Sequence, residues 1–192
     1  MPEYKIEKNN TFISYMKQLI YLFLLITVIA PFTANAQELI KNGDFELNPR
    51  VERGTSATTG WNSSKPVTVV YVDPISANNP HYAVICCDTL YYNGANGIDV
   101  ADSTKYDFSI CMRNIPALKA ENRTEGNKLV IVQLVNEQGK AIAETTIRVK
   151  GNSWQKFERQ FTASATCPNA RLAIVGIACA KVAIDNVSLK KH

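Results

Sequence analysis

From Glu38 onward the chain alternates short apolar runs with clusters of turn-forming residues. ELIKNGDFEL opens this region, and a polar stretch, NPRVERGTSATTG, leads to Trp61. The runs that follow are VTVVYVD (67–73), HYAVICC (81–87), TLYYNGANGIDV (89–100), KYDFSICMRN (105–114) and KLVIVQLVN (128–136). AIAETTIRV (141–149), WQKFERQFTA (154–163), RLAIVGIACA (171–180) and KVAIDNVSLK (181–190) complete the series. Most are rich in Val, Ile, Tyr, Phe and Thr, which suit a pleated and half-buried surface, and the breaks carry Asn-Gly, Gln-Gly, Gly-Asn or Asp-Ser. AIAETTIRV interleaves apolar and polar residues, the mark of a strand with one wet face. KLVIVQLV and RLAIVGIA are nearly all apolar, as expected of central strands covered by a facing sheet. Residues 116–126 read as a loop.

About ten strands at this spacing, without a long helical period, predict an all-β domain built as a two-sheet β-sandwich. A jelly roll is the leading topology, and a closed up-and-down barrel is its rival, since pattern alone does not separate them. Trp61 and Trp154 are expected as core anchors, and Tyr106 and Phe108, alternating in one strand, as core residues.

A different pattern precedes the strands. MKQLIYLFLLITVIAPFTANAQ, beginning at Met16, places Lys17 before an apolar run from Leu19 to Ala30 and ends that run at Ala34-Asn35-Ala36. A basic start, an apolar centre and a small-x-small site make a secretory signal, with cleavage expected between Ala36 and Gln37. The run is shorter than the roughly 20 residues a spanning helix needs. Residues 1–15 are polar and precede a second methionine, so translation is expected to begin at Met16. The expected organisation is therefore an over-called start (1–15), a signal peptide (16–36) and one β-domain (37–192). The product is expected in the periplasm or outside the cell, with no membrane contact after cleavage.

The first 36 residues hold three Lys and two Glu, which leaves 18 basic and 15 acidic residues in the domain. That balance, without a Lys/Arg cluster, gives no footprint for nucleic acid. Of the two histidines, His81 abuts a strand and His192 ends the chain. No Ser/His/Asp set or zinc site is in prospect, and no carboxylate pair stands in a motif that marks glycosidic chemistry. The domain reads as non-catalytic.

All five cysteines, Cys86, Cys87, Cys111, Cys167 and Cys179, lie in the domain, and no spacing among them suggests zinc. Cys86 and Cys87 are adjacent in what reads as a strand, so they are expected on opposite faces. The expectation is small apolar core residues for the most part, with room for one bridge.

The opening LIKNGDFEL, the GW at 60–61 and the closing VAIDNVSL bracket the domain. Together they resemble the CenC-type carbohydrate-binding module, a jelly roll of the galactose-binding-like class. The interior blocks NNPHYAVI, GIDVADSTKYDFSICMRN and LVIVQLVNEQGKAIAE, followed by WQKFE, NARLAIV and IDNVSL, are similar in order to the N-terminal module of family 51 α-L-arabinofuranosidases. In those enzymes a catalytic barrel follows the VSL strand, and here the sequence stops at His192. The resemblance implies the accessory module without its barrel: a secreted binding domain for plant-type polysaccharide or oligosaccharide of the arabinan/xylan class, or one working beside a separate glycoside hydrolase. A structural or protein-interaction sandwich, including a remnant of a truncated arabinofuranosidase, is the alternative.

The resemblance also implies a structural calcium, held by Glu46 near the start of the domain and Asp185 near its end, with carbonyl oxygens around Gly43 and the 78–81 loop. Calcium takes several oxygen ligands, carboxylates among them. Asp44 suits an Asx turn better. Sugar recognition pairs an aromatic platform with planar polar side chains. Tyr91 and Tyr92 sit in a Gly/Asn-flanked segment where one ring can reach a cleft. Arg113 and Asn114 end a strand, at a position from which polar groups reach a rim. Gln133 is the one polar residue in an apolar strand and is either ligand-facing or a satisfied core amide.

Overall fold

A residue followed by one of opposite polarity commits a strand to two different surroundings, and the long runs of this chain resolve accordingly. In Lys105–Asn114, Tyr106, Phe108, Ile110 and Met112 are buried together, while Asp107, Ser109, Cys111 and Arg113 take the other face. In Lys181–Lys191 the inward set is Val182, Ile184, Val187 and Leu189. The step from Ile184 to Val187 breaks the period of two, which marks an extra residue in the strand.

These features come from a computed structural model, which describes residues 15–18, 36–47, 60–63, 68–70, 74–92, 94, 96–115, 128–177 and 181–192. The chain divides into two units, Met1–Asn35 and Ala36–His192. In the first, only an exposed helical turn at 15–18 is described, so most of the expected signal segment lies outside the described residues. The second holds twelve described strands: β1 Gln37–Glu38, β2 Trp61–Ser63, β3 Thr68–Val70, β4 Tyr82–Cys86, β5 Thr89–Tyr92, β6 Ile98–Val100, β7 Lys105–Asn114, β8 Lys128–Val135, β9 Ala141–Val149, β10 Gln155–Thr162, β11 Cys167–Gly176 and β12 Lys181–Lys191.

The strands form two antiparallel sheets. One runs β10-β7-β12-β4-β3 with β1 added to β12, and the other runs β2-β5-β11-β8-β9 with β6 added to β11. Two separate sheets make this a β-sandwich of the jelly-roll type, and the closed barrel is set aside. The core lies between them: the inward residues of β7 and β12 meet Val130, Val132 and Leu134 of β8, Leu172 and Ile174 of β11, and Leu90 of β5. β8 and β11 are less deeply covered than their composition suggests. Ile131 and Val175 are half-buried on the outer face, so their apolar runs serve one core and one partly covered surface.

The opening segment departs from the expectation of a strand. Only Gln37 and Glu38 pair with β12, opposite Lys191 and Lys190, and the chain then folds over the sandwich as an irregular loop, residues 39–47. Its reason is a gap in the ladder. β4 pairs with β12 as far as Ile184, β1 resumes at Lys190, and against β7 the register of β12 shifts between Asp185 and Ser188. The loop fills that gap. The Val187 amide donates to the Gly43 carbonyl at 2.9 Å, and the Leu39 amide donates to the Leu189 carbonyl at 2.8 Å.

At Gly43 the approach is so close that an added Cβ would stand 1.8 Å from the Val187 carbonyl oxygen. Asn42 and Phe45, both at φ 57°, bend the loop so that the fully buried Phe45 ring lies 5.1 Å from Trp61. Trp61 donates from Nε1 to the Asn42 carbonyl at 2.9 Å, and Asn42 Oδ1 accepts from the Leu47 amide at 2.8 Å. The NGDFE block is therefore a plug, each residue placed by the shape of the β12 bulge.

Gly43→Ala is expected to cost about 3 kcal/mol or more, because the clash is with backbone that has nowhere to move. Gly139→Ala, in open space at φ 78°, should cost only about 1 kcal/mol of conformational strain. Urea unfolding midpoints at constant m-value measure both.

Candidate functional site

Two places in the sandwich gather side chains with chemistry to offer. The first is the outer face of the sheet β2-β5-β11-β8-β9, where register alone aligns one row across all five strands. Asn62 pairs with Tyr91, Tyr91 with Ala173, Ala173 with Gln133, and Gln133 with Glu144. Directly opposed residues of an antiparallel sheet point to the same side. The alternate set, Trp61, Leu90, Tyr92, Leu172, Val132 and Leu134, belongs to the core, so this row faces outward.

Tyr91 is half-buried, and the Arg171 guanidinium carbon lies 5.1 Å from its ring centroid. Gln133 Nε2 donates to Glu144 Oε2 at 2.5 Å. With small Ala173 between the tyrosine and the amide, the row combines an aromatic ring, a guanidinium, an amide and a carboxylate on one surface. That set can stack on an apolar ring face and hydrogen-bond to the hydroxyls around it.

Of the two tyrosines, strand alternation sends one each way. Tyr92 is a correction: it is 3% exposed, stands 5.0 Å from the Trp61 ring, and its hydroxyl accepts from the Lys41 amide at 2.8 Å. It is a core residue that also ties down the opening loop, and it has no face to give a ligand.

Arg113 and Asn114 lie on the other sheet, away from Tyr91 and Gln133. Arg113 is 7% exposed and held between two rings, 5.3 Å from the Tyr82 centroid and 5.2 Å from that of Trp154, with Nη2 donating to the Tyr82 hydroxyl at 3.1 Å. Asn114 is also buried, and its amide donates to the Gly151 carbonyl at 3.0 Å. A rim position for either is set aside, because the aromatic pair closes over the end of β7. Trp154, expected between the sheets, packs in that outer cluster, whereas Trp61 is the core anchor the sequence indicates.

A groove of about 540 Å³ also lies on the outer face of that sheet, lined by Asp107, Ser109, Lys156, Glu158, Gln160 and Lys190 among others. Its walls are mostly charged, and Phe108, the aromatic residue among them, is 1% exposed with its ring in the core, which suits water better than a sugar ring.

The second place is the β12 bulge. Asp185 is wholly buried; its Oδ1 accepts from the Asn186 amide at 2.7 Å and its Oδ2 from Asn79 Nδ2 at 3.1 Å. Loss of solvent pushes its carboxyl up to about 7, against the opposing effect of those hydrogen bonds, and the negative charges of Asp44 and Glu46 add to the rise. The same burial and the Asp185 charge push the Cys111 thiol up. Glu46 lies in the opening loop rather than in a strand, and both its oxygens meet His81: Oε1 accepts from the backbone amide at 2.7 Å, and Oε2 lies 2.6 Å from Nδ1.

Glu46 and Asp185, 139 positions apart in sequence, thus come into electrostatic contact. Asn79 Oδ1 is buried without a hydrogen-bond partner. Asp185, Glu46 and Asn79 carry oxygen donors of the kind a hard cation takes, with the Asn79 amide turning its Nδ2 toward Asp185 and both Glu46 oxygens on His81 in this structure. Among the described residues no three His, Cys, Asp or Glu side chains gather into a metal-holding group, so carbonyl or amide oxygens would have to complete one. The Gly43 carbonyl, expected as a ligand, accepts the Val187 amide. Asp44 takes the Asx-turn role, with Oδ1 accepting from the Glu46 amide at 3.4 Å.

The sequence reading missed Asn62, Glu144, Arg171 and Asn79. Strand alternation alone would place the first three outward, but only the register shows that they adjoin Tyr91 and Gln133.

No family model matches this chain, and no curated protein matches it. Solved structures do. The arabinose-bound α-L-arabinofuranosidase MgGH51 is similar at 17% identity with a TM-score of 0.67, over 80% of this chain and 26% of that one. This chain therefore spans about a quarter of that enzyme's length. The CBM22-1 xylan-binding domain of Paenibacillus barcinonensis Xyn10C is similar at 14% identity and a TM-score of 0.54, over 81% of this chain and 95% of that one. A cyclase from Fischerella sp. TAU, in complex with 4-(1H-indol-3-yl)butan-2-one, matches at 18% identity and a TM-score of 0.59, over 82% and 98%. At these identities the likeness establishes the fold, a jelly roll common to carbohydrate-binding modules and to other proteins.

Because the folded Asp185 titrates near 7 and an unfolded Asp near 3.9, the folded state holds a proton that the unfolded chain has lost between those values. In chelator, stability should therefore fall as pH rises from about 4 to about 7 and level off above. Asp185→Asn should lack that component. The difference between wild-type and variant unfolding free energies across this range is the measurement.

Proposed function

We propose that the domain is a non-catalytic carbohydrate-binding module that takes its ligand on the outer face of the sheet β2-β5-β11-β8-β9. The observation that carries this reading is the row Asn62, Tyr91, Ala173, Gln133 and Glu144, with Arg171 beside the Tyr91 ring. A pyranose or furanose presents an apolar face and a girdle of hydroxyls, and this row offers a partner for each. The name of one fold neighbour says that it binds xylan, and another was solved with arabinose. Together with the resemblance of the sequence blocks, these support arabinan or xylan as the polymer class. The same resemblance supports a separate glycoside hydrolase as a working partner. The pattern from Met16 to Ala36 supports export to the periplasm or the exterior.

We further propose a structural calcium at the β12 bulge, held by Asp185 and Glu46 with the Asn79 Oδ1 oxygen. Its chemistry there would be electrostatic: a divalent cation offsets the repulsion among Asp44, Glu46 and Asp185 and fixes the opening loop to the last strand.

A specific observation favours a second reading, a structural or protein-interaction sandwich. Arg171 already lies against Tyr91, and Gln133 and Glu144 already bond to each other. A sugar must compete with those contacts, which caps its affinity.

Affinity electrophoresis through gels containing arabinan, xylan or β-glucan separates the two. Retardation on one of the first two polymers is expected, and Tyr91→Ala should weaken it about tenfold or more, equivalent to about 1.4 kcal/mol. A folded domain that migrates unretarded in every gel would rule the binding reading out. For the cation, free calcium at about 100 times its Kd should add about 2.7 kcal/mol of stability over chelator. Asp185→Asn should abolish the gain, as read from the two melting curves.

A further inference from the structure

One pair of reactive groups lies outside both sites. β4 ends at Cys86, and Cys87 follows it into the turn that carries the chain from one sheet to the other. The sequence expectation placed these neighbours on opposite faces of a strand. The structure overturns it: Cys87 sits at φ 53°, in the left-handed region, and this swings its side chain back toward that of Cys86. The two sulfurs are 4.0 Å apart. Both residues are exposed and both are thiols, whereas Cys111 and Cys167 are buried in the two sheets. A left-handed non-glycine residue costs about 1 kcal/mol or more, and at Cys87 this conformation coincides with the close approach of the two sulfurs.

We propose that Cys86 and Cys87 form a reversible dithiol–disulfide site, oxidised by small-molecule disulfides. A thiolate of the pair attacks the disulfide RSSR, forming a mixed disulfide and releasing RS⁻, which takes up the lost proton. The second thiolate attacks the protein sulfur of that mixed disulfide, closing the Cys86–Cys87 bond and releasing the other RSH. Two protein thiols are oxidised, one RSSR is reduced, and no other reactant is needed.

Closure requires the sulfurs to move from 4.0 Å to about 2.05 Å. Both residues are exposed, so rotation about their own side-chain bonds is the movement that closes this distance. Adjacent Cα atoms are about 3.8 Å apart, below the usual span of about 4.4–6.8 Å across a disulfide, so the ring is strained and easily reduced again. The site is therefore suited to cycling rather than to permanent bracing. Its position gives the cycle something to act on. The next residue, Asp88, accepts from the Gly176 amide through its carbonyl at 3.1 Å and from Ser63 Oγ through its carboxylate at 2.5 Å, so the turn holds β2 and β11 in place.

The test uses the full chain carrying Cys179→Ser, to leave the pair without that competitor. After exposure to glutathione disulfide, intact mass should show loss of two hydrogen atoms and no retained glutathione. Peptide mapping should place the bond between Cys86 and Cys87, and mild dithiothreitol should reverse it. Cys86→Ser should instead trap glutathione on Cys87. Phenylarsine oxide, which bridges two thiols with release of water, should bind one to one and lose about a hundredfold in affinity in either single serine variant, the advantage of a second tethered ligand. Accumulation of glutathione on the unsubstituted pair, covalent dimers, or undiminished arsenical binding by a folded single variant would each overturn the proposal. These readouts do not depend on whether the domain binds sugar.

Discussion

A single backbone contact, the Val187 amide on the Gly43 carbonyl, organises one whole end of this sandwich. β12 carries one residue too many for its partner β7, and the extra residue leaves part of its edge without a strand to pair with. Backbone donors that lose both water and partner cost of order a hydrogen bond each. The loop after β1 supplies the missing acceptor, and only glycine lets it come close enough. From that contact follow the burial of Phe45 against Trp61, the tie from Lys41 to the Tyr92 hydroxyl, and the delivery of Asp44 and Glu46 to the neighbourhood of Asp185. A cluster of like charges is thus a by-product of how the ladder is completed, and it is this cluster that the proposed calcium would offset.

The other sheet shows how register alone aligns a row of surface groups. The five of its six strands that carry the row are held by inward residues that pack against the core, and the outward row inherits its alignment from them. Asn62 and Glu144 lie at opposite ends of that row, 82 positions apart in the chain. A slip of one residue in any strand would turn its member of the row into the core. The packing that stabilises the fold therefore also fixes the spacing of the surface groups.

Much of this was legible from residue order. The strands of the sandwich follow from runs of β-branched and aromatic residues between turns, and the glycine of NGDFE stands where the backbone needs it. Alternation implied that only one of Tyr91 and Tyr92 faces outward, though not which one. What the sequence withheld was partnership. Arg113 looks like an exposed strand end until Tyr82 and Trp154, 31 residues before it and 41 after it, close around it. Gln133 could face either way until Glu144 is seen opposite it. Cys86 and Cys87 read as a strand pair because nothing local announces that Cys87 takes a left-handed conformation. Side-chain identity sets what a residue can do; distant pairings decide which of those options it takes.

The short pairing of β1 with β12 has a consequence for the architecture of larger chains. Gln37 stands opposite Lys191, so the first and last described strands bring their outer ends within one strand spacing, about 4.8 Å. Such a unit resembles a bead with a single eyelet. It can be threaded into a surface loop of a host protein, or its ends can be joined and reopened elsewhere, with very little spacer. Grafting by its two ends asks the host to part by hardly more than the width of its own backbone.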